Sequence, residues 1–457
     1  MARNARNGEF FSIFVPSAMS PKAKRISAVV ALILIALPVV IYCSRKEFLR
    51  KTPLKNFLYG YAAGPTAACD QFIASDFVSN FSRAGCKSAL RNALLAYQGT
   101  VKHCLSKKDT SCAKFFVFHG ENGYGNRLPG MVFTFALSLL FDRVMLMDFP
   151  PDEPRFSELW DSEYILEYDE WKAVNGFDSL PSASYRFQTN EDARAMDPLF
   201  QSDLAQFFAP HDVVHVRSTD NPFPVLFMNA IHHPQFQALF CEFGSFYDGI
   251  YSWLLREILK PGPAVMSKVK AFRSKDFGKK TIGLQVRAKK RVEFDFDGDG
   301  SKTFLLARML RDQQYQTDAD VRYFLATDSR WVRDACRLYF GDACIFYPEF
   351  GLDNVAMTQD VSRVPENYLL SAIDIVLLST CDDIVTTYAS TYGVTAAALG
   401  GIIPYRVGPG KLYMYHVTAE PCFWGYRQFF SHLEYDDSRI YGLCNPYFLY
   451  HAECSAP

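Results

Sequence analysis

Two periodicities of hydrophobic and polar positions recur along this chain and predict alternating strands and helices. Short apolar runs are typical of strands buried in a parallel sheet, and apolar positions three or four residues apart favour amphipathic helices. The predicted strands are 114–118, 144–147, 213–216, 281–286, 323–326, 344–347, 384–387 and 402–405. Strands that alternate with helices predict an α/β protein with doubly wound parallel sheets, whose ligands bind beyond the carboxyl ends of the strands.

One stretch follows neither periodicity. Residues 26–43 form an uncharged run of 18 residues, which as a helix spans roughly 27 Å, about the thickness of the hydrocarbon core of a bilayer. A cleaved signal peptide is disfavoured because the basic stretch Ser44-Arg-Lys-Glu47 follows where a small-residue cleavage site belongs. The sequence therefore predicts a retained transmembrane signal-anchor after a tail at 1–25. Basic residues flank it on both sides and do not decide its orientation.

The length of the chain predicts two domains beyond this anchor. At 457 residues it exceeds the size at which a single hydrophobic core usually stops growing. The stretch Lys260-Pro-Gly-Pro263 interrupts the pattern and is the predicted boundary. We therefore expect a stem at 44–84, an α/β domain at 85–262, a second α/β domain at 263–425 and a C-terminal extension at 426–457.

Composition and cysteine placement narrow the class of protein. A net charge of −1 provides no long-range field for general nucleic-acid binding. Eleven of the twelve cysteines lie beyond the apolar run, without a CxxC or Cys/His metal spacing, so disulfides are favoured over a zinc site and at least one of the eleven lacks an intramolecular partner. Asn80 begins a glycosylation sequon. Sequon and cysteines together favour a lumenal location for the folded part.

Polar residues at three strand ends of the second half form a candidate anion site. Arg287 follows a buried strand, where its forked guanidinium suits a diphosphate. The next strand ends in short polar side chains suited to a base or ribose, or to helix capping. The third strand leads into a hydroxyl-rich helix N-terminus, a place where phosphates bind. The residues predicted at the second and third ends are Thr327, Asp328, Ser329, Ser390, Thr391, Tyr392 and Gly393.

A glycine-bearing turn in the first half is a further candidate. Gly123 and Gly125 lie between a strand and a helix and allow a ligand to approach the backbone closely, and Asn126 and Arg127 supply polar contacts. The full dinucleotide fingerprint with three glycines is absent. Because of their position at this turn, the four residues are predicted to contact a ligand together with the strand ends of the second half.

The motifs, taken in order, resemble those of the plant xyloglucan-type α-1,2-fucosyltransferases over roughly residues 85–425. The similar segments are Gly123-Tyr-Gly-Asn-Arg127, Asp142-Arg-Val-Met-Leu-Met-Asp148, Ile282-Gly-Leu-Gln-Val-Arg287, Ala326-Thr-Asp-Ser329, Ser390-Thr-Tyr-Gly393 through Leu399-Gly-Gly401, and Glu420-Pro-Cys422. The resemblance implies a GT-B-type fold of two Rossmann-like domains, with an acceptor-side first domain and a donor-binding second domain. It also implies inverting transfer of fucose from GDP-β-L-fucose without a metal or other cofactor, in which Arg287 holds the β-phosphate.

Such a transfer needs a base for the proton of the acceptor hydroxyl. By the same resemblance Asp220 is the first candidate, although one inserted residue and Pro222 depart from the family pattern, and Glu293 and Asp295 are alternatives. The stretch around Asp295 imitates the start of a calcium loop, but Leu306 stands at its twelfth position, so an EF-hand is excluded.

The expected partners are GDP-fucose, a glycan acceptor that presents a galactose 2-hydroxyl, and a membrane, and the expected location is the Golgi with single-pass type II topology. A homodimer is left open. Two alternatives also stay open: transfer of another nucleotide sugar on the same fold, and a non-catalytic glycan-binding membrane protein.

Overall fold

The structure of the protein is a computed structural model. It describes residues 83–120, 123–150, 153–174, 176–187, 197–218, 222, 226, 229–241, 249–288, 300–315, 320–347, 365–387, 390–407 and 414–416, all within one compact unit, Ala67–Pro457. The predicted tail, signal-anchor, sequon at Asn80 and C-terminal extension lie outside these residues, as does nearly all of the stem. None of the described helices has the length and hydropathy needed to cross a bilayer.

The first half forms a five-stranded parallel sheet in the order β4-β2-β1-β6-β5. Its strands are β1 Lys114–His119, β2 Arg143–Asp148, β4 Ile165–Glu167, β5 Ser182–Arg186 and β6 Val213–Arg217. The central strand β1 is buried from Phe115 to Phe118, because parallel sheets are covered on both faces. His119 is paired in register with Asp148 on one side and Arg217 on the other, so three strands end at one level.

The second half forms a six-stranded sheet in the order β10-β9-β8-β11-β12-β13. All neighbours are parallel except β12 and β13. Its strands are β8 Lys280–Val286, β9 Val321–Thr327, β10 Cys344–Ile345, β11 Asp383–Thr387, β12 Tyr405–Val407 and β13 Met414–His416. The α/β class with parallel sheets, predicted from the alternation of patterns, is confirmed.

Helices connect and cover these strands. They are α1 Arg83–Lys107, α2 Tyr124–Phe141, α3 Phe156–Leu159, α4 Tyr168–Lys172, α5 Asp197–Gln201, α6 Leu204–Phe208, α7 His233–Phe240, α8 Ile250–Ile258, α9 Pro263–Asp276, α10 Ser301–Leu310, α11 Arg330–Phe340, α12 Pro365–Ser379 and α13 Thr391–Gly400. Arg311–Tyr315 continues α10 as a π-helical turn. A small antiparallel pair joins β3 Trp160–Asp161 to β7 Lys260–Pro261.

The larger hydrophobic core extends across both sheets. It contains the buried apolar residues of β1, β2 and α12, Ala396, Ala397 and Ala398 of α13, and Phe324 and Ala326 of β9. A second cluster covers the opposite face of the six-stranded sheet. Every strand of the five-stranded sheet precedes Lys260 and every strand of the six-stranded sheet follows it, while the predicted domain limits 85–262 and 263–425 stay a prediction.

Two disulfides are local, as their spacing allows. Cys104 pairs with Cys112 and Cys336 pairs with Cys344, which confirms that cysteines of this chain form disulfides. Among the described residues, the buried Cys381 is a free thiol.

Some local predictions were wrong. The strand predicted at 402–405 is observed at Tyr405–Val407, because Gly401 ends α13 at a φ of +66° and Pro404 precedes the strand. The short strands β4 and β5 were not predicted. Pro263, in the stretch predicted as the domain boundary, begins α9, a position that proline favours, and the boundary itself stays a prediction.

Candidate active site

Arg287 follows β8 directly and lies beside Asp328 at the end of the neighbouring strand β9. Nε of Arg287 is 3.4 Å from Oδ2 of Asp328, and Oδ1 of Asp328 accepts a 2.8 Å hydrogen bond from the backbone N–H of Ala288. The Asp328 side chain is 7% exposed, whereas that of Arg287 is 39% exposed. The terminal guanidinium nitrogens of Arg287 make no hydrogen bond to another described residue. The buried carboxylate thus fixes the base of an arginine whose fork faces solvent.

Thr387, the last residue of β11, connects this arginine to a third strand end. Its hydroxyl accepts a 3.0 Å bond from the backbone N–H of Arg287 and donates a 3.1 Å bond to the backbone oxygen of Gln285. Thr386 lies within 2.8 Å of the side-chain oxygen of Gln285. These hydroxyls hold the carboxyl ends of β8 and β11 together, so the predicted convergence of Arg287 with the hydroxyl-rich segment is observed.

The first turn of α13 lies directly on this strand end. A Cβ atom on Gly393 would be only 2.0 Å from Oγ1 of Thr386, so glycine is needed for α13 to approach the sheet. Ser390 occupies the N-cap without a side-chain capping bond and is buried. Since the first N–H groups of a helix lack intrahelical partners and carry its positive dipole end, the start of α13 offers anion donors beside Arg287.

The first turn of α2 meets that of α13. Thr391 donates a 2.7 Å hydrogen bond to the side-chain oxygen of Asn126, and a Cβ on Gly125 would lie 2.7 Å from the backbone nitrogen of Tyr392. Gly125 therefore permits close contact between two helix N-termini. A Cβ on Gly123 would meet nothing within 4 Å. The structure brings Gly125 and Asn126 to the candidate site, as the sequence predicts.

Arg127 is buried in a network that joins α2 to α12. Its guanidinium is paired with Glu153 through both terminal nitrogens, one of them at 2.8 Å, and donates a 2.9 Å bond to the hydroxyl of Tyr368. That hydroxyl donates to Glu153 at 2.8 Å, and the guanidinium carbon lies 4.8 Å from the centre of the Tyr368 ring. A donor contact for Arg127 stays a prediction, and these contacts give it a bridging role that sequence reasoning missed.

Two hydroxyls beside Asp328 are unused by other described residues. Oγ1 of Thr327 is buried without a hydrogen-bond partner among the described residues. Ser329 takes the N-cap position of α11 but makes no side-chain capping bond. Because an unpaired buried hydroxyl is costly, Thr327 suits a ligand contact. The half-buried Ser329 does not make the capping bond that the sequence left open.

The candidate bases Asp220, Glu293 and Asp295 lie outside the described residues and stay predictions. Within the part of the chain that the structure describes, no group of three His, Cys, Asp or Glu side chains could hold a metal ion.

Three polar side chains at the carboxyl end of the five-stranded sheet are linked by short contacts. Sequence reasoning missed this group. Nδ1 of His119 lies 2.6 Å from Oδ2 of Asp148, and Nε2 of His119 lies 2.8 Å from Nδ1 of His215. Burial, with the nearby His119 and Arg217, lowers the pKa of His215 to about 4, despite Asp148. Isolated histidines on strands carry no sequence signal until the register of the sheet is known.

Comparisons with known proteins find similar chains among the fucosyltransferases. No protein-family model matches the chain. A galactoside 2-α-L-fucosyltransferase of Pisum sativum is 25% identical over an alignment of 386 residues, and the match covers 72% of this chain and 66% of the pea protein. The match thus spans slightly less than two thirds of that relative.

A solved structure of a mutant of Arabidopsis thaliana FUT1 in complex with GDP has a TM-score of 0.56 and 16% identity, and the similarity covers 77% of this chain and 92% of the other. The two proteins share a fold. The predicted resemblance to the plant xyloglucan-type fucosyltransferases is confirmed.

Proposed function

We propose that this chain is an inverting fucosyltransferase that transfers L-fucose from GDP-β-L-fucose to the 2-hydroxyl of a galactose in a glycan. The observation that carries the proposal is the convergence of Arg287, Asp328 and the N-terminus of α13 at the carboxyl ends of three adjacent strands. Ligands of parallel α/β sheets bind at such ends. The sequence similarity to the pea enzyme supports fucose and galactose as the sugars.

The donor diphosphate would lie between the Arg287 fork and the first turn of α13. A planar guanidinium makes two parallel hydrogen bonds to a phosphate, and the N–H groups of α13 approach from the neighbouring strand. Thr327 and Ser329, at the end of the adjacent strand β9, have hydroxyls for the nucleoside. The fold proposed for this arrangement is of the GT-B type, with two Rossmann-like parts.

Transfer requires stabilisation of the charge that develops on the departing diphosphate. Fixed donors aimed at that charge contribute the largest single effect in many enzymes. Arg287 and α13 would supply it in a reaction that uses no metal, as the resemblance implies. The acceptor hydroxyl loses its proton as its oxygen attacks C1 of fucose and the C1–O bond to GDP breaks.

The cellular setting is proposed from the sequence. A signal-anchor at 26–43 with a lumenal catalytic part gives type II topology in the Golgi. The Cys104–Cys112 and Cys336–Cys344 disulfides support an oxidising compartment, since disulfides are rare in the cytosol.

An acceptor array with GDP-fucose tests the function on the full-length protein in detergent. We expect fucose transfer to galactose-terminated glycans and a loss of GDP-fucose binding of about 10- to 100-fold in Arg287→Ala, because hydrogen bonds to charged groups contribute about 1.5–3 kcal/mol. Arg308→Ala is the matched control, since that side chain is 43% exposed and lies on α10.

Transfer from another nucleotide sugar alone would favour the second alternative. Glycan binding that survives Arg287→Ala, without any response to nucleotide, would favour a non-catalytic protein.

A further inference from the structure

We propose that Asp148, His119 and His215 form a proton relay in which Nε2 of His215 takes the proton of the acceptor hydroxyl. The inference rests on the proposed transferase function and names the base that it needs.

The three side chains share one face of the sheet. His119 and Asp148 are paired in the parallel register, and Val117, two residues before His119, is paired with His215. Since side chains alternate along a strand, all three point the same way. The ring of Tyr168 packs near both imidazoles, with centroid distances of 6.2 and 5.9 Å. The cluster is thus held by three strands and one helix.

With both imidazoles neutral and Asp148 ionised, the contacts assign the hydrogen positions. An ionised carboxylate only accepts hydrogen bonds, and a neutral imidazole has one donor and one acceptor. Nδ1 of His119 therefore donates to Asp148, Nε2 of His119 accepts, and Nδ1 of His215 donates. Nε2 of His215 is left with a free lone pair. No described residue makes a hydrogen bond to this nitrogen, and it is not among the buried polar atoms without a partner.

The relay lies at the carboxyl end of the five-stranded sheet, the same end at which α2 begins beside the proposed donor site. Gly120, which follows His119, packs so closely that its Cβ would be 3.2 Å from Cδ of Arg127. Arg127 is adjacent to Asn126, which accepts a hydrogen bond from Thr391 at the start of α13. The carboxyl ends of both sheets thus meet around these residues. In this proposal, an acceptor bound at the end of the first sheet would approach a donor bound at the end of the second.

The cluster is also accessible. The side chains of His119 and Asp148 are 16% and 27% exposed, and His215 is half-buried. A ring nitrogen that protein groups leave unbonded at a partly exposed position is accessible to a bound substrate. His119 is bonded at both ring nitrogens. In contrast, Nε2 of His215 makes no hydrogen bond to another described residue.

The proton balance is closed. The acceptor O–H proton moves to Nε2 of His215, the oxygen pair forms the bond to C1 of fucose, and the pair of the breaking C1–O bond leaves with GDP. The Nδ1 proton of His215 moves to Nε2 of His119, which becomes an imidazolium beside Asp148. The proton returns to solvent when the products leave.

The electrostatics favour this end point. His215 has a lowered pKa, about 4, because of burial first, and then because of His119 and Arg217. It is therefore neutral at neutral pH and holds a proton poorly. Asp148 contacts His119 directly, so the positive charge is best placed there. Two other charged groups, Asp169 and Asp178, act on the neighbouring Tyr168. Both are acidic and therefore also favour a positive charge on His119.

The first test measures transfer by His215→Gln at saturating GDP-fucose. We expect kcat to fall by about 10²- to 10⁴-fold, the range of general base catalysis, with the dissociation constant of GDP-fucose unchanged. His215→Ala should recover part of its rate with added imidazole. His103→Gln, at an exposed position of α1, is the matched control and should retain full activity.

The second test is the pH profile of kcat/KM. Asp148 stabilises the protonated relay, so Asp148→Asn should move the acid limb to lower pH by about one to three pH units and lower the plateau. A residue that merely supports the fold would not move the limb. If His215→Gln does not fold, the pH profile of Asp148→Asn tests the relay by itself.

Wild-type kcat in His215→Gln, or an unmoved limb in Asp148→Asn, overturns the relay and leaves the transferase function intact. Loss of activity in Asp220→Asn together with normal activity in His215→Gln also overturns the relay and leaves the transferase function intact. Absence of transfer and of GDP-fucose binding in the wild type instead refutes the function on which the relay rests.

Discussion

Thr391 donates a 2.7 Å hydrogen bond to the side-chain oxygen of Asn126 and joins the first turns of α13 and α2. The two residues are 265 positions apart in sequence. Each belongs to a helix that starts just after a central strand of its sheet. The bond therefore fixes the distance between the carboxyl ends of the two sheets.

Loss of this hydrogen bond should weaken the binding of GDP-fucose and lower the free energy of unfolding only slightly. We expect Thr391→Val and Asn126→Ala each to lower the free energy of unfolding by about 1 kcal/mol, a typical value for one hydrogen bond, and to raise KM for GDP-fucose. A double-mutant cycle in urea measures the coupling. Strictly additive effects would show that the two side chains do not interact in solution.

Asp328 should act on GDP affinity through Arg287. Asp328→Asn keeps an oxygen for Ala288 N–H but loses the charge beside Nε of Arg287, so we expect calorimetry to give a few-fold weaker GDP binding. Asp328→Ala, which loses both contacts, should weaken it further. Asp334→Asn, at an exposed position of α11, is the control and should bind GDP normally. Equal affinity of all three variants would contradict the positioning role.

Gly393 should tolerate no side chain. In Gly393→Ala the new Cβ would lie 2.0 Å from Oγ1 of Thr386, and forced overpacking costs about 1–3 kcal/mol or more. We expect a lower melting temperature and weaker GDP binding. In contrast, Gly99→Ala adds a Cβ with nothing within 4 Å on helix α1 and should stabilise the protein by up to about 1 kcal/mol. A neutral Gly393→Ala would refute the close packing of α13.

The Arg127–Glu153 pair should be critical for stability. Removal of one partner of a buried ion pair costs about 3–5 kcal/mol because the other charge is left uncompensated. We expect this loss in Glu153→Ala, measured by chemical unfolding. Tyr368→Phe, which removes one hydroxyl from the same network, should cost only about 1 kcal/mol. Similar losses in both variants would argue against a paired charge.

Asp374 should make stability depend on pH. Burial raises the pKa of this carboxyl in α12 to about 7, although Arg333 opposes the shift, and its Oδ1 has no hydrogen-bond partner among the described residues. The folded state thus holds a proton that the unfolded state releases near pH 4. The free energy of unfolding should fall as pH rises from about 4 to 7, by at most about 4 kcal/mol.

Asp374→Asn should remove most of this slope, and urea titrations at several pH values measure it. An unchanged slope in the variant would assign the pH dependence to other groups.

The sequence predicted the features whose cause is local. Apolar runs such as 114–118 are strands because they are buried on both faces, and Arg287 could be placed because the residue after a buried strand lies at its carboxyl end. The strand Ser182–Arg186 was missed because it is polar and half-exposed. Its sequence therefore shows neither the apolar run of a buried strand nor the apolar spacing of a helix.

Long-range partners were beyond the reach of the sequence. Glu153 and Tyr368 are 215 residues apart, and nothing in the local pattern of either one indicates the other. His119, Asp148 and His215 became a group only through the register of three strands. Gly125 and Gly393 were predicted as ligand contacts, yet their closest neighbours are other parts of the protein, because a glycine motif has the same form in both roles.

The core that extends from β1 and β2 to α12 and α13 has a consequence for the engineering of this chain. Its two sheets are not interchangeable modules, since a cut at Lys260 would expose apolar surface on both sides. Chimeras that exchange one half with a relative must therefore also transplant the facing residues of α2, α8, α12 and α13. New acceptor specificity is better sought in substitutions at the strand ends.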